Sequence, residues 1–264
     1  MKNSRFYTAA IALVIIVLSF PGCSKLVDYI KHPGSGGLPI CAIKSFAFHN
    51  DGSEFGDDSV VFSYNAAGNP VSAIRRATAT GVPNFYFLYD HNNRLTDLIG
   101  AYDSDYINNS RVETWNKYYY DASGHIVLDS CFNFPDVVNG QPTTGFLGDV
   151  FLVTFNYDSY DRVTKMTTTF TDAEPTRVET YSYNAQGNRV GASYDNKVNF
   201  HQTNKIWMFI DRDYSLNNPT TASYTYNSTG LPTKITVASG GMGFFNAPLT
   251  VYFYKNASLL YDCH

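Results

Sequence analysis

Any chemistry in this chain would have to come from its carboxylates, its histidines and a tryptophan in a long loop. Asp51, Glu54, Asp57 and Asp58 crowd one early loop, and their oxygens could hold a hard cation. They lack the spacing of a calcium loop and read as a solvated acidic turn, as do Asp103, Asp105, Asn108 and Asn109. No two of the 6 histidines have the spacing of a metal-binding pair such as HExxH. A glycan hydrolase would need two convergent carboxylates. Asp103 and Asp211 have the right chemistry, but nothing in the sequence brings them together. Ser35 lies among glycines and follows no strand, so it is no nucleophile elbow. Gly240-Gly241-Met242-Gly243 lacks the Lys-Ser/Thr of a phosphate loop. We therefore expect no catalytic residue, no metal and no cofactor, and read the chain as not an enzyme.

One segment concentrates reactive and aromatic groups. Asp195–Pro219 is the longest loop and carries His201, Trp207, Asp211 and Asp213. Loops on a rigid scaffold are where binding usually resides, so these four residues are the candidate binding set. The apolar run Lys205-Ile206-Trp207-Met208-Phe209-Ile210 also suits a plug packed on a sheet.

The elements that must position this loop follow from a repeated phrase. Phe62-Ser63-Tyr64-Asn65-Ala66-Ala67-Gly68 has counterparts ending at Gly52, Asn93, Gly124, Asp161, Gly187 and Gly230, and a worn copy at Tyr252-Phe253-Tyr254. Internal repetition fixes the architecture before any single residue does. Residues i and i+2 of a strand share a face, so each phrase sets two rings on one side. Asn or Asp then opens a tight turn by bonding the backbone ahead of it. The fourth turn position requires φ > 0, which Gly adopts freely and Asn or Asp tolerate. Gly68, Gly124, Gly187 and Gly230 are the turn glycines. A β-prone run resumes after each turn, so each unit is a hairpin.

The expected fold is all-β. It is an antiparallel up-and-down meander of repeated hairpins, about fifteen strands, curled into a closed or nearly closed barrel-like sheet. A flat row of stacked hairpins forming an open, twisted solenoid is the competing architecture. In a meander the long loops gather at one end, so a binding site is expected there and not along the short turns.

Lys2 and Arg5 precede an apolar run, Ala9–Leu18, ending at Phe20-Pro21-Gly22-Cys23. Its length suits a signal segment and not a membrane span. We divide the chain into a lipoprotein signal at 1–22, a tether at 23–40 rich in Gly and Pro, and one β-repeat domain at 41–264. Cys23 is the lipidation residue, the alternative being plain secretion. Ser24-Lys25-Leu26 lacks an acidic run of the surface-export kind, and the side of the outer membrane stays open. Cys41, Cys131 and Cys263 remain, enough for a single bridge. Cys41 and Cys263 flank the first and last strands and could clasp a closed sheet, but an odd strand count would set them at opposite ends. The pairing stays open. A net charge of −4 offers no basic face for nucleic acid. Charges on the strands, such as Arg75 and Lys165, disfavour a true membrane porin.

Phe155-Asn156-Tyr157-Asp158 with Arg162-Val163, and Tyr120-Asp121-Ala122-Ser123-Gly124, resemble the YD repeats of RHS-type proteins, which build hollow β shells. The stretches Tyr194–Asn199, Ser215–Pro219 and Tyr224–Asn227, followed by Gly230–Ile235, resemble a family of Bacteroidetes lipoproteins of unknown function with a porin-like fold. The resemblance spans roughly residues 41–262. It implies an outer-membrane, cell-envelope protein and assigns no functional residues. The leading expectation is a non-enzymatic, lipid-anchored scaffold presenting loops to a ligand or another envelope protein. The expected partners are the membrane through the lipid, and an envelope protein, a glycan or an apolar ligand. The alternative is a β shell enclosing an apolar lipid or peptide, with a glycan-active enzyme third.

Overall fold

The computed structural model describes residues 41–49, 57–108, 111–145, 150–171, 174–237 and 255–263. The signal segment, the tether, Cys23, the first turn at Gly52 and the worn copy at Tyr252–Tyr254 lie outside the described residues.

The strands are β1 Cys41–His49, β2 Asp58–Tyr64, β3 Pro70–Arg75, β4 Asn84–Tyr89, β5 Leu95–Ala101 and β6 Val112–Tyr120. They continue as β7 Ile126–Asn133, β8 Asp136–Val138, β9 Gln141–Thr143, β10 Val150–Tyr157, β11 Val163–Phe170 and β12 Arg177–Thr180. After them come β13 Tyr194–Val198, a 3-10 turn Phe200–Thr203, helix α1 Lys205–Asp211, β14 Asn217–Pro219, β15 Ala222–Tyr226, β16 Pro232–Val237 and β17 Asn256–Cys263. Thirteen strands form one antiparallel sheet in the order β12-β11-β10-β7-β6-β5-β4-β3-β2-β1-β17-β16-β15. β8–β9 and β13–β14 are separate two-stranded ribbons. The protein is all-β, and its first and last strands pair, as in a closing barrel. The sheet itself is left unpaired between β12 and β15.

The turns repeat one hydrogen-bond pattern. Asn65 Oδ1 accepts from the N–H of Ala67 and Asn69, each at 3.0 Å. Asp90, Asp121, Asp158, Asn184 and Asn227 do the same two and four residues ahead. The fourth residue is left-handed each time, with φ of +87° at Gly124 and +79° at Gly187.

A feature the phrase alone does not reveal follows five of the turns. Tyr64 pairs with Pro70 and Ser63 with Ser72, so Val71 is an extra, bulged residue. The same slip leaves out Thr96, Val127, Thr164 and Thr233 in the other hairpins. Inward residues after the turn are therefore three apart: Pro70 and Ala73, Leu95 and Leu98, Ile126 and Asp129, Pro232 and Ile235, all buried. A bulge interrupts the ladder and sharpens the twist. At that interruption the next hairpin supplies a donor. Tyr89 Oη donates to Pro70 O at 2.7 Å, Tyr120 to Leu95 O at 2.8 Å, Tyr157 to Ile126 O at 2.8 Å and Tyr183 to Val163 O at 3.0 Å. Tyr64 bonds Ile43 O and Tyr261 bonds Pro232 O, both at 2.7 Å. Burial pushes the Tyr120 phenol up to about 12 and raises Tyr64, Tyr89, Tyr157 and Tyr183 as well, so they remain protonated donors.

The sheet curls around the insertion between β12 and β15. The Trp207 ring lies 5.3 Å from Phe62 on β2, and the Phe209 ring 5.3 Å from Phe155 on β10. Six steps separate β2 from β10 in the sheet, roughly 29 Å across a flat one. A helix about 12 Å across with its side chains falls short of that even with both ring contacts added. The sheet is therefore strongly curled and not flat, although it stays open between β12 and β15. A smaller cluster, Ile99, Ala101, Tyr106, Val112 and Trp115, is joined by Val137 of the β8–β9 ribbon.

Cys41 and Cys263 form a disulfide, with Cα atoms 4.0 Å apart, and Cys131 is free and buried. The odd-count objection fails for a topological reason. Antiparallel alternation along the sheet order makes β12 and β15 run in the same direction. The insertion has returned the chain to its starting end, so β17 meets β1 antiparallel and Cys41 sits opposite Cys263.

Tyr157→Phe should lower unfolding stability by about 1 kcal/mol, the net worth of one hydrogen bond, without changing the far-ultraviolet spectrum. Gly124→Ala should cost about 1–2 kcal/mol for its left-handed backbone. Gly187→Ala should cost more in the same denaturant titration, because a Cβ there would lie 2.8 Å from Leu216 Cδ1 while nothing lies within 4 Å at Gly124.

Candidate functional site

The insertion fills the concave face with residues that are apolar nearly all round the helix, the mark of a buried helix. Ile206, Trp207, Met208, Phe209 and Ile210 are all buried. Asn204 caps the helix by accepting from Ile206 N at 2.8 Å, and its amide donates to Gly68 O on a hairpin turn at 2.9 Å. Arg212 ends it in a left-handed conformation, φ 53°, with its guanidinium over the Phe155 and Phe209 rings.

His201 ties the 3-10 turn to the end of α1. Its Nε2 lies 2.8 Å from Asp211 Oδ2, and its Nδ1 lies 2.9 Å from Asn199 Oδ1 and 3.3 Å from Asp213 Oδ2. Burial alone would push this imidazole down, but the two carboxylates raise it to about 9. For Asp213, burial opposes ionisation, yet the bonds from His201, Ser215 N and Asn199 bring it down to about 2. A protonated imidazole with both N–H groups engaged has no lone pair for a base or a metal. His201, Trp207 and Asp211 are thus turned inward with Asp213 half-buried beside them, and the four brace the insertion against itself and the sheet.

A second buried acid lies on the concave face. Asp129 takes the inward position that is Ala73, Leu98 and Ile235 in other hairpins. Its oxygens accept from Asn116 Nδ2 at 3.1 and 3.0 Å. Burial raises its carboxyl to about 7, against the pull of the Arg212 charge and the Asn116 bond. The other carboxylates weighed in the sequence are dispersed. Asp58 pairs with Arg75 at 3.0 Å, Asp105 holds Asn108 at 2.8 Å, and Asp51 and Glu54 lie outside the described residues.

Beside the open seam, the β13–β14 ribbon bonds to both flanks through side chains. Asn188, in the sixth turn, donates to Asn217 Oδ1 at 2.9 Å and accepts from Asn217 N at 2.9 Å. On the other flank Tyr224 donates to Pro219 O at 3.2 Å, and Tyr226 donates to Asp195. Asp195 also accepts from Lys197 N at 2.9 Å and Asn218 N at 3.2 Å. A cleft of about 430 Å³ opens here, walled by Asn184, Gln186 and Asn188 on one side and Tyr194, Asn196 and Asn217 on the other. It lies where a short turn meets the long insertion, so both loop classes contribute. Reasoning from sequence passed over these residues because it sought charged and aromatic groups. The available signal was the density of carboxamides between 184 and 218.

No family model matches the chain, and no curated protein does. Its structural neighbours include a porin-like protein from Bacteroides uniformis, at 11% identity and a TM-score of 0.46, covering 84% of this chain and 98% of that one. A TcdB2-TccC3-Cdc42 structure matches at 13% identity and a TM-score of 0.30, covering 71% of this chain and 9% of that one. The Photorhabdus luminescens Tc holotoxin pore matches at 12% identity and a TM-score of 0.24, covering 70% of this chain. All three are weak similarities, and this chain spans about a tenth of the toxin chains.

His201→Ala should destabilise the protein by about 2–4 kcal/mol near pH 6, because it leaves buried carboxylates without their cation. The folded pKa is raised above 6.5 to about 9, so the imidazole's contribution is complete below pH 6.5 and fades as pH rises through 9. Melting temperatures of parent and variant should therefore converge between pH 6.5 and 9.

Proposed function

We propose that the protein is a non-enzymatic, lipid-anchored scaffold of the outer membrane that binds its ligand at the seam between β12 and β15. One observation carries this reading: the interior is filled by the chain's own Trp207, Met208 and Phe209, while a polar cleft opens outward beside the insertion. His201, Trp207, Asp211 and Asp213 hold the binding loop from within, and Tyr194, Asn196 and Asn217 present its surface. The apolar-cargo reading would need the space those rings occupy. The enzyme reading would need two carboxylates turned toward a substrate, and Asp211 and Asp213 both engage His201 instead. Cys23 is the anchor, supported by the charged start, the apolar run and Gly22-Cys23.

The anchor is tested by fractionation. Cys23→Ala should lose labelling by a fatty-acid analogue and move from the outer-membrane fraction to the soluble one. A variant that stays with the membrane ends the lipoprotein reading.

A further inference from the structure

We propose that the seam cleft is a binding site for an uncharged saccharide. The cleft has the volume of a small-molecule site, about 430 Å³, and five of the eight described residues that line it are carboxamides, where such sites are usually lined mostly by apolar side chains. Its floor is already fixed. Asn188 and Asn217 bond each other reciprocally, and Asn217 Nδ2 donates to Lys197 O at 3.0 Å. Asn184 Oδ1 is committed to its own turn. Little side-chain ordering is therefore left for the ligand to impose.

The rim groups are different. The side chains of Gln186 and Asn196 are exposed and, among the described residues, make no side-chain hydrogen bond. Each carboxamide offers donors and an acceptor side by side. That pairing complements neighbouring hydroxyls, which both donate and accept. An apolar ligand would desolvate these amides without replacing their bonds, which is costly.

Charge narrows the class further. Among the described residues no Lys or Arg lines the cleft, so an anionic sugar would meet no counter-charge from them. The lining carboxylate, Asp195, is already engaged by Tyr226, Lys197 N and Asn218 N, and it would repel an anion. The half-buried Tyr194 adds an aromatic wall of the kind a sugar ring can pack against.

This inference rests on the scaffold reading and is tested separately from the anchor. The detergent-solubilised full chain is applied to an array of neutral, uronate-bearing and sulfated oligosaccharides, with hits and short unstructured peptides titrated by calorimetry. Neutral oligosaccharides should bind. Gln186→Ala with Asn196→Ala should weaken them by about tenfold or more, the loss of two hydrogen bonds, with the melting temperature unchanged. Binding confined to acidic sugars, no oligosaccharide binding, or neutral binding untouched by the double variant would each overturn the proposal. So would peptide binding that the double variant abolishes. A chain anchored through Cys23 that binds no oligosaccharide loses this inference and keeps the scaffold reading.

Discussion

One apolar face of a thirteen-stranded sheet has to be kept from water, and that requirement shapes everything else. A sheet this wide cannot remain flat and single-layered. Here it curls over the short helix α1, whose residues Trp207 and Phe209 touch strands six steps apart. The insertion is thus the second layer of the fold. Because it also carries the chain from β12 at one edge to β15 at the other, it sets the strand directions that bring Cys41 opposite Cys263.

The curl itself is written into five of the hairpins. The bulge after these five turns adds twist, and a neighbouring hairpin's tyrosine hydroxyl bonds the carbonyl beside it. Tyr64, Tyr89, Tyr120, Tyr157 and Tyr183 repeat this contact from strand to strand. Each bond is worth little alone. Repeated along one rim, the bonds fix the spacing of successive hairpins while leaving the far-end loops free to differ. Asp129 departs from the pattern, setting a buried acid where other hairpins place aliphatic residues. Burial raises its carboxyl, and the Arg212 charge of the insertion and the Asn116 bond offset that only in part.

Much of this was legible in the residues. Asn65 to Gly68 and its counterparts name a turn by its chemistry, and the paired aromatics name the strand before it. The bulge was harder to see. It turns strict alternation into spacing by three, as in Leu95 and Leu98, which strand periodicity does not anticipate. Its signal was the β-branched residue left over each time: Val71, Thr96, Val127, Thr164 and Thr233. The role of tyrosine over phenylalanine at the second position depends on a carbonyl in another hairpin, so no local pattern contains it. The same holds for the cleft. Asn188 and Asn217 are 29 residues apart and meet only because the insertion folds back to the seam.

The central claim is that the insertion is core and not an appended loop, and native-state hydrogen exchange tests it most directly. If the sheet is built around α1, the amides of Met208 and Phe209 exchange only when the whole domain unfolds, with the same free energy as those of β5 and β6. Exchange of the helix through a cheaper local opening, while those strands stay protected, would contradict the account.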